Sequence, residues 1–437
     1  MAELVKQWND GGSLTATYEG SGDGSAVFSS DAYEGIDRTM PVTFKGAGLS
    51  IERTVRQEGI RQQFVTKDGL VFRFADGGRF GVLREIDNSI NINKYLTIEA
   101  RTNGLTATLA ASDVEYCVDG SGEWKLLPAG TATEAINSGQ TISFRANYDN
   151  YNNDRIFSIS KSCNVLGDPM SLYYGDNAQD FDEVPFDYSF SYLFYNCRNI
   201  VDASRLVLNR ELKQYAYYYM FYNCTGLAYP PELPTMKMAY GCYQAMFYNC
   251  SSLTTTPTLP STALAERCYY YMFTGCTKLV NTTTLPATKM EVYCYNNMFS
   301  GCTSLTTAPE LPATTLANYC YRYMFRNCSG LVNAPKLNCT SLIFSCYSYM
   351  FSNCTSLVVA PDLPATTLVG NCYQYMFDGC KKLSHVKMLA TNVSASKCLE
   401  NWLSNVASSG TFIKNKNATW DISGESGVPN GWTILTE

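Results

Sequence analysis

The sequence of 437 residues contains a single histidine, His385, and this scarcity excludes much familiar enzyme chemistry. Histidine is the usual base of catalytic triads and a common zinc ligand, so one copy nearly removes triads and histidine-based metal sites. The sequence also lacks phosphate-binding loops, dinucleotide fingerprints, nucleophile elbows and Cys-x-x-Cys pairs. We therefore predict a non-enzymatic protein with no catalytic residue, no bound metal and no cofactor.

Basic charge and long apolar runs are also scarce. The 33 lysines and arginines are outnumbered by 39 acidic residues, whereas nucleic-acid binding usually needs a basic face. No apolar run reaches the roughly 18 residues of a membrane span. The opening residues, MAELVKQWNDGGS, lack the basic and apolar stretches of a signal peptide. We expect no nucleic-acid partner, no membrane insertion, and a chain that either stays in the cytosol or has lost an export signal.

What the sequence does contain is a cysteine pattern with a fixed period of 26 residues. A period in this range is typical of stacked repeats. The two cysteines of one repeat are eight residues apart, which on a helix is about 12 Å and exceeds the roughly 7 Å Cα separation of a disulfide. We predict reduced thiols buried in a repeat core. The first series contains Cys242, Cys268, Cys294, Cys320, Cys346, Cys372 and Cys398, and the second contains Cys224, Cys250, Cys276, Cys302, Cys328, Cys354 and Cys380.

The repeat has the common skeleton C-Y-x-x-M-F-x-[NG]-C-x-x-L, followed by a segment rich in Thr, Ala and Pro. Cys320, Met324 and Cys328 lie at i, i+4 and i+8, which predicts one face of a short helix, and the segment after the leucine predicts a short strand. The residue before the second cysteine is Asn or Gly, the types that tolerate a left-handed backbone, so the helix should end there. In the central repeats these residues are Asn249, Gly275, Gly301, Asn327, Asn353 and Gly379.

Two β domains are predicted ahead of the repeats. Residues 1–88 alternate β-formers with Gly and Asp clusters, the pattern of a sandwich, and Asp76-Gly77-Gly78 predicts a tight hairpin turn. Residues 89–168 should form a second sandwich, with a hairpin at 114–128. The predicted fold is therefore mainly β with α/β repeats: two immunoglobulin-like sandwiches followed by a solenoid of 26-residue coils.

The solenoid is predicted to span residues 169–405, with a C-terminal cap over 406–437. End units of a repeat array differ from the central ones because they close the core. We place Phe190 at the first-cysteine site of the first unit, and Trp402 with Leu403 at the Met-Phe site of the last.

Tyrosine occupies two further columns of the repeat. The column directly after the first cysteine is predicted to be buried, whereas the column three residues after it is predicted to be partly exposed and to bind a protein or a sugar. The position two residues after the cysteine varies between repeats and includes Tyr270 and Arg322, which is typical of a recognition surface and of any solvent face. The exposed column contains Tyr219, Tyr271, Tyr323, Tyr349 and Tyr375.

Two acidic loops carry enough oxygen atoms to bind calcium. One contains Asp176, Asp180, Asp182 and Glu183, and the other contains Asp149 and Asp154. Calcium requires several oxygen ligands at close range. Solvated turn residues are the simpler interpretation, and both remain open at this point.

The repeats resemble BspA-type leucine-rich repeats, as the unit C-Y-x-x-M-F-x-[NG]-C-[TS]-x-L-T-T-A-P-x-L-P-A-T-T-L shows. This family is found in surface and adhesion proteins of gut Bacteroidales. The segment SIERTVRQEG (50–59) resembles the last strand of a BACON-like, immunoglobulin-type domain. The resemblance implies attachment to a host cell, matrix or glycan, and no catalysis.

The resemblance and the bare N-terminus together suggest a location. Surface members of the family are exported, and the missing signal fits a protein of a phage that infects such bacteria, because virions assemble in the host cytoplasm. The hypothesis is a virion head or tail fibre or decoration protein, which binds other virion proteins or copies of itself through its β domains. Its ligand would be a host surface protein or glycan. The alternative is a secreted or surface-anchored bacterial adhesin.

Overall fold

In the computed structural model the chain divides into two units, Met1–Ile90 and Asn91–Glu437. The structure describes residues 94–437 except 153, 210, 235–236 and 420–425, and in the first unit it describes the backbone of eight strands. The predicted turn at Asp76-Gly77-Gly78 lies outside the described residues. The strands are β1 (Ala2–Gln7), β2 (Ser13–Tyr18), β3 (Ala26–Ser30), β4 (Arg38–Gly46), β5 (Leu49–Gln57), β6 (Gln63–Thr66), β7 (Val71–Ala75) and β8 (Arg79–Val82).

The strands of the first unit form two antiparallel meanders. One has the order β1-β2-β3 and the other the order β4-β5-β6-β7-β8. Each strand pairs with its neighbour in sequence, as expected when Gly- and Asp-rich segments separate β-forming segments.

The second unit begins with a six-stranded sheet of order β12-β11-β13-β9-β15-β16. The predicted hairpin at 114–128 is confirmed, since Val114 pairs with Leu127 across β11 and β12. Strand β16 joins the edge in parallel to β15, so hydrogen bonds run from this sheet directly into the repeats. The strands of this sheet are β9 (Leu96–Ala100), β11 (Val114–Val118), β12 (Lys125–Leu127), β13 (Thr141–Arg145), β15 (Cys163–Gly167) and β16 (Ile200–Leu206). Two further strands, β10 (Ala107–Leu109) and β14 (Phe157–Ile159), pair in a separate antiparallel sheet.

Consecutive repeats hydrogen-bond to one another in parallel. Where the sequence predicts a short strand, single-residue parallel bridges join neighbouring repeats, as between Thr255 and Asn281. The last repeats gain a regular parallel sheet of order β17-β18-β19, comprising β17 (His385–Met388), β18 (Gly410–Lys414) and β19 (Trp432–Thr436). The architecture of the described residues is therefore mainly β.

The segment predicted as a short helix is a ribbon of turns, so the prediction of α/β repeats is wrong. The N–H of Met324 donates to the carbonyl of Tyr321 at 3.2 Å, three residues back, whereas the N–H of Phe325 donates to Met350 of the next repeat at 2.9 Å. This alternation continues along the segment, whereas an α-helix would bond every N–H internally. Within the described residues, helix is confined to α1 (Ser171–Tyr174) and the 3₁₀ turn Gly175–Asp180.

The Asn and Gly positions before the second cysteine do adopt the predicted left-handed backbone. Asn327 has φ = 61° and Gly301 has φ = 75°, and the other Asn and Gly residues of this column have φ between 57° and 75°. Asn and Gly tolerate this region because their side chains are short or absent. The backbone angle is thus the property that this column conserves along the repeat.

Substitutions at Asn249 test whether this column requires a left-handed backbone. We expect Asn249→Gly to leave the free energy of unfolding nearly unchanged, and Asn249→Val to lower it by about 1–3 kcal/mol because a β-branched residue is strained at φ = 57°. Chemical denaturation measures both. Thr306→Val is the control, since Val280 and Val332 occupy its position in the neighbouring repeats. Equal losses for Gly and Val at position 249 would contradict a requirement for the angle.

The repeat core consists of columns of identical side chains. Phenylalanine stacks on phenylalanine, with Phe325 5.8 Å from Phe299 and 5.7 Å from Phe351 between ring centroids. The tyrosine column after the first cysteine is buried as predicted, and Tyr321 is 1% exposed. All 18 cysteines are free and buried, which confirms the prediction of reduced thiols.

The second cysteine of each repeat has a bonding role that the sequence did not reveal. The Cys328 Sγ–H donates to the carbonyl of Phe299 at 3.1 Å, and Cys354 donates in the same way to Phe325. Burial raises the pKa of the Cys328 thiol to about 12. The thiols are therefore neutral donors and not nucleophiles at physiological pH.

The two end units differ from the central repeats. Phe190 stacks on Tyr217 at 5.6 Å and therefore stands in the buried tyrosine column, so its predicted place at the first-cysteine site is wrong. Ser189 occupies that site, because the spacing between the first two units is 27 residues and not 26. At the other end the Trp402 Nε1–H donates to the carbonyl of Gly427 at 2.9 Å, which attaches the C-terminal tail to the last repeat.

Candidate ligand-binding face

One side of the ribbon of turns is lined with tyrosines that the core does not enclose. They come from five columns of the repeat, and each is only partly buried. We call this set the tyrosine face. It consists of Tyr188, Tyr192, Tyr195, Tyr215, Tyr218, Tyr219, Tyr222, Tyr240, Tyr248, Tyr270, Tyr271, Tyr293, Tyr319, Tyr323, Tyr349 and Tyr375.

The local backbone fixes the direction of these side chains. Tyr319 and Tyr323 have φ of 61° and 59°, and the same two columns are left-handed in the other repeats, whichever residue occupies them. A left-handed backbone costs roughly 1–2 kcal/mol per residue for side chains other than Gly. Strain of this kind persists where the surrounding structure enforces it and is concentrated at functional sites. The hydrogen bonds between repeats supply that constraint here.

The tyrosines of neighbouring repeats stack face to face. Tyr349 lies 4.7 Å from both Tyr323 and Tyr375, and Tyr293 lies 4.7 Å from Tyr319. Because stacking covers the ring faces, the parts left for a ligand are ring edges and hydroxyl groups. The face therefore offers hydrogen-bonding hydroxyls at regular intervals on a rigid aromatic support.

The hydroxyls of Tyr215 and Tyr218 on this face have raised pKa values and stay protonated at physiological pH. Burial raises the pKa of Tyr215 to about 12, and a hydrogen bond with Tyr240 contributes to the same shift. Burial likewise raises the pKa of Tyr218, with a further contribution from its hydrogen bond to Tyr219. Neutral phenols can donate as well as accept hydrogen bonds, which suits polar ligands rich in hydroxyl groups.

Arginine is interleaved with the tyrosines at two places. The Arg267 guanidinium carbon lies 5.1 Å from the Tyr293 ring centroid, and that of Arg322 lies 4.7 Å from the Tyr323 centroid. These distances fall within the range of cation–π attraction. The arginines thus lie close to the rings of the face and add positive charge to it.

The residues predicted to bind ligand lie together on this face. Tyr219, Tyr271, Tyr323, Tyr349 and Tyr375 are all partly exposed on it, and so are Tyr270 and Arg322. The sequence reasoning missed the tyrosines of the other columns, which lie one or two residues before the first cysteine and six residues after it. Aligning every column of the repeat, and not only those next to cysteine, would have found them.

The carboxylates of the acidic loops do not form a cluster in the structure. Among the described residues, no three side chains of His, Cys, Asp or Glu come together in a group that could hold a metal ion. Asp176 instead pairs with Arg145 at 3.1 Å and with Lys94 at 3.6 Å, and it accepts a hydrogen bond from Tyr95. Nor does any described helix have the length and hydropathy to cross a bilayer.

A backbone of stacked parallel turns with a leucine at each repeat boundary defines a leucine-rich repeat region. Comparison with family models specifies its type: residues 237–358 and 296–411 match the BspA type leucine rich repeat region, in six copies. This part of the chain is thus similar to BspA-type repeats, as the resemblance implied. No curated protein and no solved structure matches the chain.

Proposed function

We propose that the chain is a non-enzymatic adhesion protein that binds its ligand through the tyrosine face. The observation that carries this proposal is the row of partly exposed tyrosines held on a left-handed backbone, repeat after repeat. Tyrosine provides a large amphipathic contact area and loses little conformational entropy on binding. The BspA-type repeats support a surface or adhesion role for the same region.

The remaining parts of the chain would present this face. In our proposal the β strands of residues 1–168 form immunoglobulin-like domains that anchor the protein to other virion proteins or to copies of itself. The repeats form a solenoid with residues 406–437 as its cap. The ligand would be a protein or glycan of the host cell surface.

The setting of this adhesion is a bacteriophage virion in our first proposal and a bacterial cell surface in the second. The match to BspA-type repeats favours both equally. Mass spectrometry of purified virions and of surface-labelled bacterial cells separates them. Detection in virions alone supports a fibre or decoration protein, whereas detection among surface-labelled cell proteins alone overturns that placement in favour of an adhesin.

Removal of two tyrosines tests the binding face itself. We expect Tyr219→Asn with Tyr349→Asn to weaken binding to cells or to a printed glycan array by at least about tenfold, because interface tyrosines often contribute more than 1 kcal/mol each. Asn suits the left-handed backbone, since Asn297 occupies the same column with φ = 57°. The binding isotherms of folded protein provide the measurement.

Tyr229→Asn is the matched control. Tyr229 is 59% exposed, lies outside the tyrosine face and pairs with Asp202 in a parallel bridge. Its substitution should leave binding unchanged. An equal loss in this control, or unchanged binding in the double variant with an intact fold, would count against the tyrosine face as the ligand site.

A further inference from the structure

Two arginines flank one tyrosine of the face. The guanidinium carbon of Arg322 lies 4.7 Å from the Tyr323 ring centroid, and that of Arg326 lies 5.3 Å from the same centroid. The Nη2 of Arg322 donates to the Tyr323 hydroxyl at 3.1 Å. Tyr323 therefore holds two positive charges close together on the face.

Neither arginine has a carboxylate partner among the residues that the structure describes. The buried Nε of Arg322 has no hydrogen-bond partner there. The buried Nε of Arg267 also lacks a hydrogen-bond partner, but Arg267 has a carboxylate 3.6 Å away on Glu266, and Lys397 lies 3.7 Å from Glu400. What sets Arg322 and Arg326 apart is therefore the missing carboxylate, which leaves their positive charge without an internal counter-charge among the described residues.

The surrounding repeats leave this charge uncompensated. The repeat before carries Asn296 and Ser300 at the two arginine positions, and the repeat after carries Ser348 and Ser352. All four side chains are neutral and buried. A negative group from outside the chain would thus meet two guanidinium groups without competition from an acidic neighbour.

We propose that Arg322 and Arg326 form the anion-recognition subsite of the tyrosine face, and that its ligand is an acidic polysaccharide. The subsite takes a sugar carboxylate or sulfate group, whose oxygens match the paired N–H groups of guanidinium. This inference rests on the proposed function and adds the ligand's charge class to it.

The form of the face favours a sugar polymer over a peptide. Peptides usually bind through apolar pockets, an unpaired strand edge, or an arginine cluster that recognises acidic groups, and only the last of these is present here. Next to Arg322 and Arg326 the face instead offers stacked rings, with Tyr349 and Tyr375 following Tyr323 at 4.7 Å intervals. Such a row of hydroxyls suits a polymer that repeats its own hydroxyl groups.

The experiment measures binding of the full chain to four immobilised probes: polygalacturonate, heparin, neutral dextran and poly-glutamate. We expect polygalacturonate or heparin to bind best, and whichever of the two binds more tightly identifies carboxylate or sulfate as the preferred group. Binding should weaken with salt. Arg322→Gln with Arg326→Gln should weaken the affinity for the acidic sugars at least about tenfold, since charge-assisted hydrogen bonds are strong.

Two further variants make the outcome specific. Lys278→Gln with Lys336→Gln removes the same charge from exposed positions outside the face and should leave affinity within about twofold. A variant with Arg322→Lys and Arg326→Gln should bind the acidic sugars little better than the double glutamine variant, because lysine cannot form the paired contact of a guanidinium group. Thermal unfolding confirms that each variant remains folded.

The subsite is overturned if the arginine variant binds as tightly as the parent, if the lysine control loses as much, or if poly-glutamate or dextran binds best. Loss of cell binding in the tyrosine variants together with unchanged binding in the arginine variants would reject the subsite and leave the tyrosine face in place. Loss in neither would reject both.

Discussion

The chain should unfold cooperatively between about pH 9 and pH 11, because its core contains many buried thiols. Burial raises the pKa of Cys242, Cys320, Cys328, Cys372 and Cys380 to about 12. In the unfolded chain a thiol has a pKa near 8.5. Above that pH the unfolded chain loses protons that the folded chain retains, so the free energy of unfolding falls as pH rises.

The size of the effect follows from the number of thiols. Twelve cysteines between residues 242 and 380 have a raised pKa. At pH 10 each favours unfolding by roughly 1–2 kcal/mol, and together they exceed the roughly 5–15 kcal/mol that stabilises a typical domain. The stability is fully present below pH 8 and is lost as the thiols ionise.

Circular dichroism from pH 7 to pH 12, with tyrosinate absorbance, measures the transition. Cys328→Ser with Cys354→Ser is the informative variant, because serine keeps a donor for the Phe299 and Phe325 carbonyls and does not ionise in this range. Between pH 9 and pH 12 its free energy of unfolding should fall less steeply, by about 1.4 kcal/mol per pH unit for each thiol removed. A native spectrum at pH 11.5 would contradict the prediction.

Phe325→Ala should lower the free energy of unfolding by about 3–5 kcal/mol. The ring is fully buried and stacks between Phe299 and Phe351, so its removal leaves a cavity that the rigid neighbouring repeats cannot fill. Each repeat contacts mainly its neighbours, so the loss should also weaken the coupling between the repeats on either side.

Urea denaturation followed by fluorescence and by hydrogen exchange measures this effect. We expect a lower midpoint and faster exchange in the repeats next to Phe325 than in β9 to β15. Val332→Ala is the control. Val332 is 49% exposed, so its substitution should lower the free energy of unfolding by less than about 0.5 kcal/mol. A loss at Phe325 no larger than at Val332 would show that the phenylalanine column does not hold the repeats together.

The features that were predicted correctly depend on properties of single residues. Cysteine without a suitable partner behaves as a small apolar residue, so its regular recurrence indicated the core. Asn and Gly tolerate positive φ, so their alternation before Cys250 and Cys276 indicated the backbone angle. Neither inference requires knowledge of what the segment contacts.

The helix prediction failed because the spacing was ambiguous. Residues at i, i+4 and i+8 share a face in a helix of 3.6 residues per turn and also in a ribbon that repeats every four residues. The ribbon forms because every second N–H, such as that of Phe325, reaches a carbonyl of the next repeat. The spacing of residues within one repeat contains no information about hydrogen bonds to the next repeat.

The tyrosine face was likewise only partly predictable from the sequence. The sequence placed Tyr219, Tyr323 and Tyr349 in one recurring column, but it could not show that columns before and after them lie on the same side. Left-handed residues at every fourth position turn those columns outward together. It also could not show that Arg326 shares Tyr323 with Arg322, because that proximity arises from the ribbon geometry.

The sequence by itself determined the repeat, its period, its reduced cysteine core and its left-handed Asn and Gly positions, since each follows from the chemistry of individual residues. Only the tertiary structure decided that the turns form a ribbon and that sixteen tyrosines share a surface with Arg322 and Arg326. The physical reason is that hydrogen bonds between repeats, and not those within one repeat, select the backbone conformation and thereby the direction of every side chain on the face.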